Sequence, residues 1–454
     1  MKKILRVISL TAFGGVCLMS CNDANKIKYD VVSGQPDFAS KQAENVLRVG
    51  AWVAPPAENW NNKGNANFIT QERYNEIAES GINVIYALYE IGNRAAMKNA
   101  LEYAKNAGIE YLARDYIDLD PDLLELEKGD LHNITKSYDD AEALRGFLVT
   151  DEPGASRFDS LAKLKELYEQ DYPGKEFYVN LFPTYALTSQ TQTDSYAKYI
   201  DLYIQKLKPK FLSYDHYSMA EDIYGNKSLT EDVLWNLEIV ANKCKEAGID
   251  MYTFVQAMSF DKNTRIPNEA EVRHQVMTEL AYGSKSIQYF CYWTPLEFGE
   301  ASSPSMITKD GKRTDLYNHV KNVNKDLMSM DEAYLDFSWV GTMPIVGSEV
   351  SGTPRQIEMC QQSLEKIDAI SNINCSQNTL IGSFKNKEGR DGFIISNFSD
   401  PSELKKDVIS LDFNGATHAL VYHGENKEVV ELNSNKFEIT LDEGDGIFVI
   451  PFVK

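Results

Sequence analysis

From about residue 45 to residue 330, short apolar runs alternate with longer segments in which apolar residues recur every three or four positions. The runs fall at 47–54, 84–89, 109–113, 147–151, 177–182, 211–217, 251–257 and 287–293. They are apolar at successive positions, which predicts strands buried on both faces; a strand with one wet face would alternate. The segments between them, such as "RAAMKNALEYAKNAG" and "DVLWNLEIVANKCKEAG", carry an apolar stripe at helical period. Several end in Gly, the residue that best tolerates the left-handed backbone of a helix C-terminus. Regular alternation of strand and helix implies parallel pairing through crossovers, and eight such units predict a (β/α)₈ TIM barrel over 45–334. The competing arrangement is a doubly wound open sheet. It loses support because "GAWVAPPAENW" stands where a Gly-rich phosphate loop would follow the first strand.

Beyond about residue 335 the pattern changes to short runs bounded by Gly, Asn and Asp, among them "TLIGSFKN", "DGFIISNFS", "KKDVISLDF", "FEITLD" and "GIFVIPF". These predict an antiparallel β-sandwich over 335–454. The other end of the chain reads as a targeting segment: Lys2, Lys3 and Arg6 precede an apolar stretch, which leads into Leu18-Met19-Ser20-Cys21. That tetrapeptide resembles a bacterial lipobox, so residues 1–21 are expected to be a lipoprotein signal with Cys21 lipidated, and 22–44 a polar tether. A plainly cleaved signal peptide is the alternative. Either implies export, and the lipobox implies a bacterial cell-envelope protein whose only membrane contact is its lipid anchor. No later apolar run is long enough to span a bilayer.

Charge narrows the partners. The formal net charge is −21, and loss of Lys2, Lys3 and Arg6 with the signal makes the exported chain more acidic still. Such a surface repels nucleic acid. Cys244, Cys291, Cys360 and Cys375 lack a CxxC spacing, so neither a metal finger nor a redox pair is indicated. Cys244 and Cys291 are expected to be buried thiols, while a Cys360–Cys375 bridge is left open. Few histidines and no HExxH spacing disfavour a metal-dependent hydrolase, so neither metal nor cofactor is expected.

Chemistry in such a barrel belongs at the C-terminal ends of the strands. Trp52 stands there on the first strand, Asp151 and Glu152 on the fourth, and Asn180 on the fifth. Tyr214, Asp215, His216 and Tyr217 end the sixth, Gln256 the seventh, and Tyr292 and Trp293 the eighth. Carboxylates, amides and large aromatics in one mouth suit a carbohydrate, whose C–H faces stack on rings while its hydroxyls take amide and carboxylate partners. Plain structural roles compete: Tyr292 and Trp293 as core, His216 bonded to a backbone carbonyl, and the acid pair as a helix cap. One acid would suffice for a cap. Two held together repel, which raises a pKa and keeps a proton available for a general acid.

At these residues the chain resembles a known group. "TDEP" on strand four, "VNLFP" on strand five, "LSYDHY" on strand six, "FVQA" on strand seven and "IQYFCYWTP" on strand eight resemble Bacteroidetes glycoside-hydrolase-like lipoproteins, distant relatives of clan A and of family 42 β-galactosidases. The resemblance implies that Glu152 is the general acid. It also implies an Asn before that Glu and a nucleophilic Glu on strand seven, where this chain has Asp151 and Gln256. The second carboxylate is then Asp215. Alternatively, Asp151 orients a substrate acetamide, since the Asp-Glu pair is similar to that of family 123 enzymes. Less favoured is Glu297 or Glu300 after strand eight. The expectation is an exported glycoside hydrolase; the alternative is a catalytically silent carbohydrate-binding barrel.

Overall fold

A computed structural model describes residue 29 and residues 31–38, 46–297 and 303–454. Cys21 and Glu300 lie outside the described residues. Eight parallel strands close into a barrel: Arg48–Trp52, Val84–Tyr86, Glu110–Ala113, Leu144–Asp151, Glu176–Leu181, Phe211–Tyr214, Asp250–Gln256 and Ser286–Phe290, here called strands one to eight. Each pairs with the next, and strand eight returns to strand one from Arg48↔Ser286 to Ala51↔Tyr289. Amphipathic helices fill the crossovers, among them Arg94–Ala107 and Val233–Ala247, which end at Gly108 and Gly248 with φ 72° and 67°. The crossover after strand three instead holds two short helices, Pro121–Leu124 and Asp130–Thr135. A hairpin, Met219–Glu221 with Lys227–Leu229, follows strand six. These pieces are too short to carry a readable period.

The barrel interior is aromatic and tied by hydrogen bonds. Trp52, Tyr86, Tyr178 and Phe254 pack with ring centroids 5.2–6.2 Å apart. The hydroxyls of Tyr86 and Tyr178 both donate to Gln288 Oε1, at 2.5 and 2.6 Å. Gly50 makes room for this cluster, since a Cβ there would stand 2.8 Å from the Tyr86 ring. Nearer the strand N-termini, Arg48 bonds both oxygens of Glu176 at 2.6 and 2.7 Å.

The C-terminal region is a sandwich. One sheet has six strands in the order Phe337–Ile345, Thr379–Asn386, Asp391–Asn397, Gly446–Phe452, His418–His423 and Asn426–Glu431; the other has three, Ile370–Cys375, Asp407–Phe413 and Lys436–Leu441. The larger sheet is covered on both faces. Ile381, Ile395 and Val449 pack into the sandwich core, while Leu380, Ile394, Phe448 and Ile450 join the core of the barrel. This explains why "GIFVIPF" shows no polar alternation. Helix Glu269–Ala281 lies across this seam, and its Ala281 carbonyl accepts from Thr342 Oγ1 at 2.7 Å and Trp339 Nε1 at 3.1 Å. Arg265 closes the seam with Glu271 at 2.7 Å and Asp400 at 2.8 Å.

Part of the stretch expected to be a tether is packed here. Gly34 N–H donates to the Val453 carbonyl at 2.7 Å, Arg390 donates back to the Gly34 carbonyl at 2.9 Å, and Phe38 is buried against Phe337. Cys244, Cys291, Cys360 and Cys375 are all free thiols, so Cys360 and Cys375 are not bridged.

Candidate active site

In a regular strand, neighbouring side chains point to opposite faces, so Asp151 and Glu152 should not share one mouth. Two backbone features make them do so. Against strand five, Leu148 pairs with Tyr178, but Thr150 pairs with Val179 and Asp151 with Asn180. Val149 is therefore an extra residue, a bulge that shifts the pleat by one and turns Asp151 to the inner side with Asn180. Glu152 then adopts φ 49°, a left-handed backbone costly for any residue with a Cβ. Its N–H donates to the Asn180 carbonyl at 2.8 Å, which anchors that turn.

Asn180 organises the acids. Its Nδ2 donates to Asp215 Oδ1 at 2.7 Å and to Asp151 Oδ1 at 3.2 Å, while its Oδ1 accepts from Ser213 Oγ at 3.0 Å. The Asp151 and Asp215 oxygens thus share one amide nitrogen and cannot be farther apart than those two bonds end to end. Asp215 lies just past strand six, with the Tyr217 hydroxyl close enough to act on its charge. Burial, with the charge of Asp151, lifts Asp215 to about 7, against the pull of Asn180 and Tyr217. Burial and the charges of Asp215 and Asp151 lift Glu152 to about 8. Asp151, wetted by the mouth yet enclosed by its walls, is raised by burial and held back by Asn180 and the Arg114 guanidinium. All three carboxyl groups are thus held above the usual carboxylate range.

The acids stand in a cleft of about 230 Å³ lined by Trp52, Asn180, Tyr217, Phe254, Phe260 and Phe290. Tyr217, Phe260 and Phe290 form a triangle of rings, 4.6–6.1 Å between centroids, with Trp52 and Phe254 as its floor. The aromatic lining suits the apolar faces of sugar rings.

Of the residues expected in the site, Trp52, Asp151, Glu152, Asn180, Asp215 and Tyr217 line this cleft; the other five do not. Strand parity sends Tyr214 and His216 outward, opposite to Ser213, Asp215 and Tyr217. Both line the space behind strands six and seven, and His216 Nε2 faces Asp232 Oδ1 at 3.0 Å. Gln256 is fully buried, its Nε2 donating to the carbonyls of Arg265, Met258 and Met219 while its Oε1 accepts from Met219 N–H. It clamps two loops together. Tyr292 and Trp293 are buried outside the barrel because strand eight ends at Phe290. Trp293 packs on Phe68 at 4.5 Å, and Tyr292 sits near Glu76 and Tyr317. Glu297 accepts from the Tyr89 hydroxyl at 3.0 Å and is not among the residues lining the cleft. Phe254, Phe260 and Phe290 are cleft residues that the sequence pattern did not single out; for Phe254, two residues before Gln256 on one strand, alternation is the available signal.

No family model matches the chain, and no curated protein matches it. Among solved structures, a catalytic mutant of a GH42 β-galactosidase from G. stearothermophilus is similar, with a TM-score of 0.56 at 9% identity over 90% of this chain and 98% of that one. A glycoside hydrolase structure gives 0.50 at 11% identity over 90% and 93%. The chain spans 60% of the β-galactosidase from the psychrophilic Marinomonas ef1, at 9% identity and a TM-score of 0.44. At these identities the likeness is one of fold.

Proposed function

We propose that this protein is a glycoside hydrolase in which Glu152 protonates the leaving oxygen and Asp215 is the second carboxylate. The observation that carries the reading is the convergence of Asp151, Glu152 and Asp215 on an aromatic cleft, with two of them bridged by Asn180. Glycosidic cleavage needs two carboxyl groups whose environments separate their roles: one keeps a proton at working pH while the other acts as base or nucleophile. Glu152, near 8, fits the donor. Asp215, nearer 7 and holding a hydrogen bond from Asn180, fits the partner. Asp151, on the same amide, either tunes the other two or orients a substrate acetamide. Its oxygen stands closer to Asp215 than the ~6.5–9.5 Å that an inverting pair leaves for its water, so Asp151 and Asp215 do not make an inverting pair with each other. With the lipobox reading of Cys21, we place this activity at a bacterial cell envelope.

A catalytically silent carbohydrate-binding barrel is the second reading, favoured by one observation: strand seven ends at the mouth in Gln256, an amide consumed by backbone hydrogen bonds, and brings no carboxylate to the cleft. The two are separated by comparing the wild type with Glu152→Gln on a panel of glycosides. Loss of the general acid should cut turnover by ~10²–10⁴ on substrates with poor leaving groups. The loss should be far smaller on activated aryl glycosides, whose leaving group needs no proton. Equal losses on both classes would remove Glu152 from the acid role; oligosaccharide binding without turnover by wild type would favour the silent barrel.

A further inference from the structure

The chain leaves strand five through Phe182, Pro183, Thr184 and Tyr185, and groups from beyond strand six grip this turn. Thr184 N–H donates to Asn236 Oδ1 at 2.8 Å, and its hydroxyl donates to Asp232 Oδ2 at 2.5 Å. Asp232 turns its other oxygen to His216 Nε2. The Tyr185 ring lies against that imidazole, with centroids 5.2 Å apart. His216 is 7% exposed, yet Tyr185 is 56% exposed. A buried imidazole, itself paired with the half-buried Asp232, thus backs an open tyrosine.

Loop aromatics of that exposure ordinarily keep their rotamer freedom. This one packs against the His216 ring, on the loop that leaves strand five at the barrel end where the acids lie. The charges of Asp215 and Glu152 reach its hydroxyl and, after burial, help push it upward. Fixing a flat ring before ligand arrives lowers the ordering cost of binding. The C–H face of a sugar is a fitting partner for such a ring.

We propose that Tyr185 is a substrate-contact residue, a stacking platform for a sugar or aglycone ring at the mouth, and that His216 and Asp232 are positioning residues that hold it there. This rests on the glycoside-hydrolase reading and gives His216 a role without contact to substrate.

The test uses the full chain and a 4-nitrophenyl glycoside that wild type hydrolyses. Tyr185→Ala should raise KM about fivefold or more, with kcat within about twofold, and Tyr185→Phe should restore KM to within about twofold of wild type. His216→Gln should raise KM in the same direction. The double variant Tyr185→Ala with His216→Gln should be no worse than Tyr185→Ala alone, because both remove one contact. An unchanged KM in Tyr185→Ala overturns the contact. Additive effects of the two substitutions overturn the positioning role. Should His216→Gln unfold, as judged by circular dichroism, Asp232→Asn replaces it in the same cycle. Failure of the glycosidase reading looks different: the wild type itself would release no product from any glycoside.

Discussion

The two ends of this barrel hold buried carboxyl groups in opposite electrical settings. At the strand N-termini, Glu176 receives Arg48 on both oxygens and Arg145 Nε at 2.8 Å. Burial pushes its pKa up, but the two guanidinium groups outweigh that and hold it below the usual carboxylate range. At the C-terminal mouth, Asp215 and Glu152 are also enclosed, and their strongest charged neighbours are other acids. Their pKa values rise. Burial is common to both ends; the sign of the nearest charge decides whether a carboxyl group becomes a fixed anion that staples the barrel or a proton holder fit for catalysis.

The widest gap between the two ends should be seen in stability. Arg48→Leu leaves Glu176 largely buried with only Arg145, and a broken buried pair costs about 3–5 kcal/mol. Urea unfolding should register that loss. Glu152→Gln, which removes the cost of keeping that carboxyl group protonated in the folded state, should leave stability unchanged or higher. A cost below about 1 kcal/mol for Arg48→Leu would mean that Arg145 alone neutralises Glu176, and the contrast would weaken.

The next effect is on the pH dependence of stability. Between the ordinary carboxyl value of 4.5 and its raised value of about 8, folded Glu152 keeps a proton that the unfolded chain has released, so stability falls as pH rises through that window. Asp215 acts likewise from 3.8 to about 7. Glu176 has the opposite sign: its contribution is complete above 4.5 and is lost as pH falls through its lowered folded value. The difference in Tm between Glu152→Gln and wild type should therefore be near zero at about pH 4 and grow towards about pH 9. A difference independent of pH would show that Glu152 is not shifted.

What the sequence makes legible follows the same physics. Strands buried on both faces stand out as apolar runs, and this is why the eight barrel strands can be counted along the chain. The edge strand Asn426–Glu431, "NKEVVE", is mostly exposed and carries no such run. The acid pair is visible as a pair, but the reason both side chains share one mouth is not. It lies in the bulge at Val149 and the left-handed turn at Glu152, which no hydrophobic pattern records. Parity is available on strand six, where Asp215 and Tyr217 face in and Tyr214 and His216 face out; assigning four successive residues to one mouth ignores it. On strand eight the run 287–293 is nearly all apolar and has no phase to read, so nothing in it separates Tyr292 and Trp293 from Phe290, which does line the mouth. Tyr185 sits in a turn with no period at all, and only the bonds made by Thr184 and the imidazole of His216 reveal it.

The smallest expected effect bears most directly on how the mouth works. Asn180 steadies the charged forms of Asp151 and Asp215 by donating to both, so Asn180→Ala should let both carboxyl groups rise. Ser213, which loses one acceptor, keeps the Tyr178 hydroxyl and the Gln288 amide as partners, which limits collateral damage. If Asp215 is the group that must be ionised, the acidic limb of the kcat/KM profile moves upward. If Glu152 is the group that must keep its proton, the alkaline limb moves downward, because a more protonated Asp151 and Asp215 repel its anion less. The bell should narrow from both sides, by about one unit at most, the size of a hydrogen bond to a charged group. A shift of the acidic limb alone would leave Asp215 as the base and move the acid away from Glu152. Two unmoved limbs would mean that the residues joined by Asn180 do not carry the titration, and the mouth would lose its electrical contrast with the Arg48–Glu176 end.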